Sequence, residues 1–262
     1  MKKFYWFLGI VGIAIISFYA LNSYIYNKKQ GEEKMPENVM ENSTPVKVIP
    51  ISHATAVLEW DNYVMYTDPV GGAQVFEGQK SPNIILVTDI HGDHLDEETL
   101  ESVIGSATLI APQAVKDKFI GELAKRVQVL ANGDALGLEG FHIDAVPMYN
   151  IPESDDAFHT KGRGNGYVIE KDGFRVYVAG DTSGTPEMRA LQNIDIAFIP
   201  MNLPYTMDVE EAADAVLAFK PKNVYPYHYR GQDGLSDINH FKELVNAGNP
   251  DINVVLLDWY AK

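Results

Sequence analysis

The sequence predicts an α/β protein in which two β-rich halves are flanked by helices, preceded by a single membrane-spanning helix. Three observations predict it. A charge-free apolar run from Phe4 to Leu21 stands apart from all that follows. Short apolar runs of strand length, punctuated by turn residues, dominate from Pro45 to Met148. From Pro186 onward, helical and extended segments alternate.

The first element is the apolar run. Lys2 and Lys3 precede it, Lys28 and Lys29 follow it, and aromatics (Phe4, Tyr5, Trp6, Tyr24, Tyr26) stand near both ends, as interfacial belts require. A cleaved secretory signal is the competing reading, but no small-x-small pair falls in Phe18 to Ser23. Gln30 to Pro45 is polar and reads as a tether. The expected organisation is therefore a membrane anchor over 1–29, a linker over 30–45 and one domain over 46–262. The expected location is the cell membrane, single-pass with the domain outside the cell, or secreted if the segment is cleaved.

The net charge of −15 understates the acidity of the domain, because four of the 21 basic residues and none of the 36 acidic ones precede Gln30. Such a body repels polyanions, so a nucleic-acid partner is not expected and a small-molecule substrate is. A local basic pocket would have to come from Lys161, Arg163 and Arg230. With no cysteine in the chain, a transition metal must be held by histidine and carboxylate.

Within the domain, Pro45–Ser52, Thr55–Trp60 and Asn62–Thr67 read as an antiparallel meander. Asn83–Val87 is uniformly apolar, as a strand buried on both faces would be. Helices are predicted over Asp96–Ile104 and Pro112–Arg126, with short strands at Thr108–Ala111 and Val127–Leu130. A second strand set comprises Phe141–Met148, Gly166–Glu170 and Phe174–Ala179, the last two joined by a Lys171-Asp172-Gly173 hairpin turn. Helices over Pro186–Leu191, Val209–Phe219 and Asp237–Asn246 then alternate with strands at Ile194–Ile199, Asn223–Tyr227 and Asn253–Leu257.

The chemistry-bearing residues stand where these strands end. Asn83–Val87 empties into Thr88-Asp89-Ile90-His91-Gly92-Asp93-His94, where a glycine lets a tight turn aim several ligand-type side chains into one space. Taken alone, Asp93 could merely cap the helix that follows. Gly180-Asp181-Thr182 and the His228 of Tyr225-Pro226-Tyr227-His228-Tyr229 end two further strands, however, and three such placements favour convergence.

This ordered set resembles the metallo-β-lactamase superfamily, and within it the branch of broad metal-dependent hydrolases whose domain opens with motifs like Ile51-Ser52-His53-Ala54 and Tyr66-Thr67-Asp68-Pro69. The resemblance implies a four-layer αββα sandwich. It also implies that His91, Asp93, His94 and His228 are metal ligands, that Asp181 bridges two metals, and that Asp68 is a buried structural acid supporting the metal loop. Two positions depart from the family pattern. Asp89 stands where a histidine is usual, and Tyr149-Asn150 occupies the usual place of another. His159, a few residues on, is the expected replacement ligand, with Asn150 the next candidate. One or two Zn2+ ions are the expected cofactor, and the Asp89 carboxylate extends the candidates to Mn2+ or Fe2+.

The other histidines take plainer readings: His142 and His240 on the surface, His53 either lining the pocket or hydrogen-bonded in the core. Gly162, Gly164 and Gly166 run into a strand rather than a helix, so they read as a flexible turn beside the site and not as a phosphate loop. Asn202, Tyr205 and Tyr229 are the candidate substrate-binding residues. The resulting expectation is hydrolysis by metal-activated water, with Asp93 and His94 as catalytic residues and an ester, lactone, amide or phosphodiester as substrate. The alternatives are a phosphodiesterase acting on a phospholipid-like substrate, and a metal-binding sensor or scaffold without catalysis.

Overall fold

The computed structural model describes residues 44–260. The anchor, the membrane topology and all of the tether but Thr44 and Pro45 lie outside them. Among the described residues no helix is long and apolar enough to cross a membrane.

The first sheet holds β1 (Val46–Ser52), β2 (Thr55–Trp60), β3 (Tyr63–Thr67), β4 (Ile84–Leu86), β5 (Thr108–Ala111) and β6 (Val127–Val129), side by side in that order. The first three pair antiparallel and the rest add in parallel. Parallel neighbours need crossovers, which α1 (Glu97–Val103), α2 (Gln113–Lys116) and α3 (Glu122–Arg126) supply.

The second sheet repeats that plan. β7 (Ala135–Leu138), β8 (Phe141–Met148), β9 (Gly164–Lys171) and β10 (Phe174–Val178) are antiparallel. β11 (Ile196–Pro200) and β12 (Asn223–Tyr227) extend them in parallel. A small ribbon of β13 (Arg230–Gly231) and β14 (Gly234–Leu235) stands apart, and β15 (Asn253–Val254) closes the edge beside β12. The crossovers here are α4 (Pro186–Arg189), α5 (Val209–Phe219) and α6 (Ile238–Gly248).

Alternation along the strands sets the layers. Leu58, Met65, Ile84 and Leu86 join Ile143, Tyr167 and Val178 of the second sheet in one core. Their neighbours Val57, Val64, Ile85 and Val87 join Leu100, Val115 and Leu123 in another, beneath the first helices. Ile84, Ile85, Leu86 and Val87 are all fully buried, which is why β4 and the residue after it read as a continuous apolar run. Ala212, Val216 and Phe241 of α5 and α6 bury against the second sheet. The order is helices, sheet, sheet, helices.

Several boundaries differ from expectation. The helix predicted over Pro112–Arg126 is two short helices, because Gly121, with φ 81°, starts a new one. β7 was not predicted, since its alternation is carried by only Leu136 and Leu138. The glycine-rich stretch is no flexible turn from Gly164 on, because β9 begins there. A Cβ at Gly164 would collide with Met148 Cε and stand 2.9 Å from the Thr88 carbonyl oxygen, so the glycine lets two chain segments close on each other. Asp96, whose carboxylate accepts from the Glu98 amide at 3.2 Å, caps α1, which leaves Asp93 free of that duty.

Candidate metal centre

The loops after β4, β8, β10 and β12 leave the carboxyl ends of their strands on one edge of the sandwich, and their side chains meet there. The first sheet contributes Asp89, His91, Asp93 and His94. The second contributes His159, Asp181 and His228.

Asp68, at the end of β3, is fully buried and organises the first loop. Its Oδ1 accepts from the Thr88 amide at 2.7 Å, while its Oδ2 accepts from Thr88 Oγ1 at 2.6 Å and lies 2.8 Å from His94 Nδ1. This engages one nitrogen of His94 and turns Nε2 into the site, the arrangement by which an outer carboxylate orients a ligating imidazole. Burial raises the pKa of Asp68.

Asp181 occupies the centre. Its Oδ2 lies 3.3 Å from Nε2 of both His94 and His159, and its Oδ1 lies 3.5 Å from His228 Nε2. Gly180 before it has φ 66°, and a Cβ there would overlap Met148 Sδ, so glycine is needed to swing the acid inward. Around Asp181 the ligand-type atoms fall into two groups, Asp89/His91/His159 and Asp93/His94/His228, each with its atoms within 4.8 Å of one another.

His159 arrives from the loop after β8, as expected of it. Asn150 is a support for His159: its Oδ1 accepts from the His159 amide at 2.8 Å and lies 3.2 Å from Nδ1, while its amide donates to the Tyr205 carbonyl at 2.9 Å. Asp89 is fully buried, with Oδ2 2.8 Å from His91 Nδ1 and 3.7 Å from His159 Nε2. Asp93 sets Oδ2 3.1 Å from His228 Nε2, and its side chain is 42 % exposed, open to the cavity.

Charge balance shows what the centre is built to hold. Burial disfavours charge on Asp181, yet His228 and His94 keep it well below the carboxylate range. Burial likewise opposes a charged His94, but Asp181 and Asp68 raise its pKa well above the imidazole range. Asp89 is lowered to about 2 against its burial, chiefly by the hydrogen bond from His91. Asp93 is lowered too, chiefly by His228. Asp181, Asp89 and Asp93 are thus held ionised by the imidazoles that face them and, at Asp89, by the Arg163 guanidinium. The buried Nε2 atoms of His94 and His159 and Oδ1 of Asp181 make no hydrogen bond. Orphaned imidazole nitrogens and a carboxylate oxygen facing one another are a donor set that divalent cations fit.

A cavity of about 380 Å³ opens over this centre, lined by His91, Asp93, Phe158, His159, Asp181, Asn202 and Tyr205. Asn202 is buried, with Nδ2 3.4 Å from His228 Nε2 and Oδ1 accepting from Thr206 Oγ1. The Tyr205 ring meets Phe158 edge to face at 5.0 Å. Tyr229, expected at the pocket, is not there. His228 has φ 46°, and the turn this makes sends Tyr229 into the core, its hydroxyl 3.4 Å from the Leu257 carbonyl. The basic pocket does not form either. Lys161 pairs with Glu187 at 3.1 Å, the Arg230 guanidinium lies 4.3 Å over the Tyr260 ring, and Arg163 binds Asp89.

The plainer histidines lie apart from the ligand groups. His142 is on the surface beside Asp144, and His240 is partly exposed on α6 near Glu210. His53 backs the site: its carbonyl accepts from the His228 amide at 3.1 Å and its ring contacts those of His228 and Tyr260. Sequence alone did not single out Phe158, and it offered Arg163 only for a basic pocket, not as the partner of Asp89. The signal for Arg163 was there: an acid in a buried histidine's place needs a counter-charge, and few cations are within reach.

Comparison with known proteins agrees with this geometry. The profile of a family described as a beta-lactamase superfamily domain matches residues 48–228. A UPF0173 metal-dependent hydrolase from Pyrococcus abyssi is 32% identical over 211 residues, covering 76% of this chain and 92% of that one. A crystal structure of a protein assigned as a metal-dependent hydrolase from Parabacteroides distasonis superposes with a TM-score of 0.71 at 37% identity, over 80% of this chain and 92% of that one. Igni18, a metallo hydrolase from Ignicoccus hospitalis, shares the fold, with a TM-score of 0.69 at 24% identity over 82% and 96% of the two chains.

Proposed function

The chain belongs to the beta-lactamase superfamily, as a metal-dependent hydrolase of the metallo-β-lactamase fold, and from that premise we propose a two-ion centre that hydrolyses a small ester, lactone, amide or phosphodiester. The observation that carries this reading is the position of Asp181, whose Oδ2 stands 3.3 Å from an orphaned imidazole nitrogen of each ligand group. Asp89, His91 and His159 would hold one ion, Asp93, His94 and His228 the other, and Asp181 would serve both. Mixed imidazole and carboxylate donors suit zinc first, with Mn2+ or Fe2+ next. Bound there, divalent ions would supply Lewis acidity that acidifies water and polarises the substrate's electrophilic group.

The chain's own residues do the rest. Asp93, ionised and open to the cavity, is placed to accept a hydrogen bond from water and orient it. The buried Asn202 amide beside His228 is placed to donate to the charge developing on a substrate oxygen. Phe158 and Tyr205 wall the cavity. A volume of about 380 Å³ fits a small molecule. Two complete ligand groups around one acid favour an enzyme over a sensor or scaffold.

A phospholipid-like phosphodiester is the second reading. Phe158 lines the cavity and is 49% exposed, as are Leu203, next to Asn202, and Ile151, which shares a neighbouring groove with Phe158. An apolar rim of this kind suits a lipid headgroup presented at a bilayer, where the proposed anchor would tether the domain on the outer face of the cell membrane. The test is a panel of ester, lactone, lactam and phosphodiester substrates, run on the full chain stripped of metal and then reloaded. Turnover should require metal, and Asp181→Ala and His94→Ala should each lower it by about a hundredfold or more. Full turnover in both variants would overturn the proposal.

A further inference from the structure

The two ligand groups have the same composition, one carboxylate and two imidazoles, but not the same charge. Asp89 is held by Arg163, whose Nε donates to Oδ1 at 3.1 Å and whose second terminal nitrogen donates to Oδ2 at 2.9 Å. Such a fork both fixes a carboxylate's rotation and offsets its charge. Oδ1 is taken up by the guanidinium, and Oδ2 is the oxygen that faces His91 and His159. Among the described residues Asp93 has no guanidinium partner, and what faces it is the imidazole of His228 and, at 3.9 Å, that of His94.

We propose that Arg163 is a positioning residue that makes the two ion positions unequal. It presents Asp89 to its ion through one oxygen and cancels that oxygen's charge, so the Asp93/His94/His228 group binds a divalent cation first and the Asp89/His91/His159 group binds second and more weakly. Asp181, shared by both, adds the same charge to each and leaves the difference intact. This rests on the two-ion reading above. A unit charge a few ångströms from an ion, at the effective dielectric of a partly buried site, changes affinity by roughly tenfold or more.

The test follows Co2+ and Mn2+ binding to the metal-free full chain by visible absorption (Co2+) and by ion analysis after equilibrium dialysis. The unaltered chain should bind two ions in steps about tenfold or more apart. Arg163→Met should tighten the weaker step by a similar factor, with the larger gain for Mn2+ because the freed carboxylate is the harder donor, while Arg163→Lys, which keeps the charge, should leave the steps apart. Because Arg163→Met leaves the buried Asp89 without its guanidinium, the comparison is repeated where that carboxylate is absent: D89H should weaken the second step, and D89H/R163M should restore it. A purely structural Arg163 would give no such reversal. Two ions bound in the unaltered chain with no change on removing Arg163 in either background would overturn this proposal and leave the two-ion reading standing. No ion bound at all would overturn both.

Discussion

Asp68→Asn offers a sharp separation between folding and ion binding. The wild-type carboxylate accepts three close contacts, from the Thr88 amide, Thr88 Oγ1 and His94 Nδ1. In the variant, the amide oxygen can keep the Thr88 amide, but an NH2 takes the place of Oδ2. A donor there cannot accept the Nδ1 proton of His94, so the ring must carry its proton on Nε2, the atom aimed at Asp181. The fold should lose about 1–3 kcal/mol, since the removed charge was itself raised in pKa by burial and Thr88 Oγ1 can turn to accept instead. Ion affinity at the Asp93/His94/His228 group should fall by about 10- to 100-fold. Competition against a chromogenic chelator measures the second quantity, and thermal denaturation of the metal-free chain the first. A folded Asp68→Asn chain that binds ions within about twofold of wild type would refute the tautomer reasoning. Asp68→Ala, which leaves the Thr88 amide buried without an acceptor, should unfold more easily, by about 3–5 kcal/mol.

Gly180→Ala should cost about 2–4 kcal/mol, from a left-handed backbone and overlap with Met148 Sδ, and would appear as a lowered melting temperature; an unchanged melt would contradict it. Ion binding should expel protons: the metal-free pKa of His94 is raised, so its proton is present at neutral pH, must leave before Nε2 can ligate, and makes affinity climb with pH until that raised pKa is passed. Calorimetry in buffers of differing ionisation heat counts those protons, and a count of zero would be the adverse result. Tyr229→Phe should keep turnover within about twofold, since its hydroxyl contacts only the Leu257 carbonyl and the Trp259 amide at 3.4 Å, and a hundredfold loss would return that hydroxyl to the chemistry.

What the sequence revealed follows from burial and chain direction. A strand buried on both faces announces itself by an unbroken apolar run, as β4 does, while the Lys171-Asp172-Gly173 turn and the alternation of helix and strand placed β10 and β12, and with the three came His91, Asp93, His94, Asp181 and His228 at their ends. The path of an irregular loop carries no such periodicity. His159 was reachable only as the next histidine along, and the Asn150 contacts that hold it depend on a fold-back between residues nine apart. The Arg163 pairing joins residues 74 apart through side chains alone. Tyr229 was misplaced because a strand continued past His228 would have carried it to the rim, whereas a single left-handed residue redirected the chain.

The division of ligands between the sheets reaches beyond chemistry. Four come from loops of one sheet and three from loops of the other, so any cation gripped at the edge staples the two halves of the sandwich. Unfolding then has to release the cation as well, which at a hundred times its dissociation constant makes the native state more stable by about 2.7 kcal/mol. The apparent robustness of the chain thereby becomes a function of the free divalent ion around it, and a chelator acts as a mild denaturant.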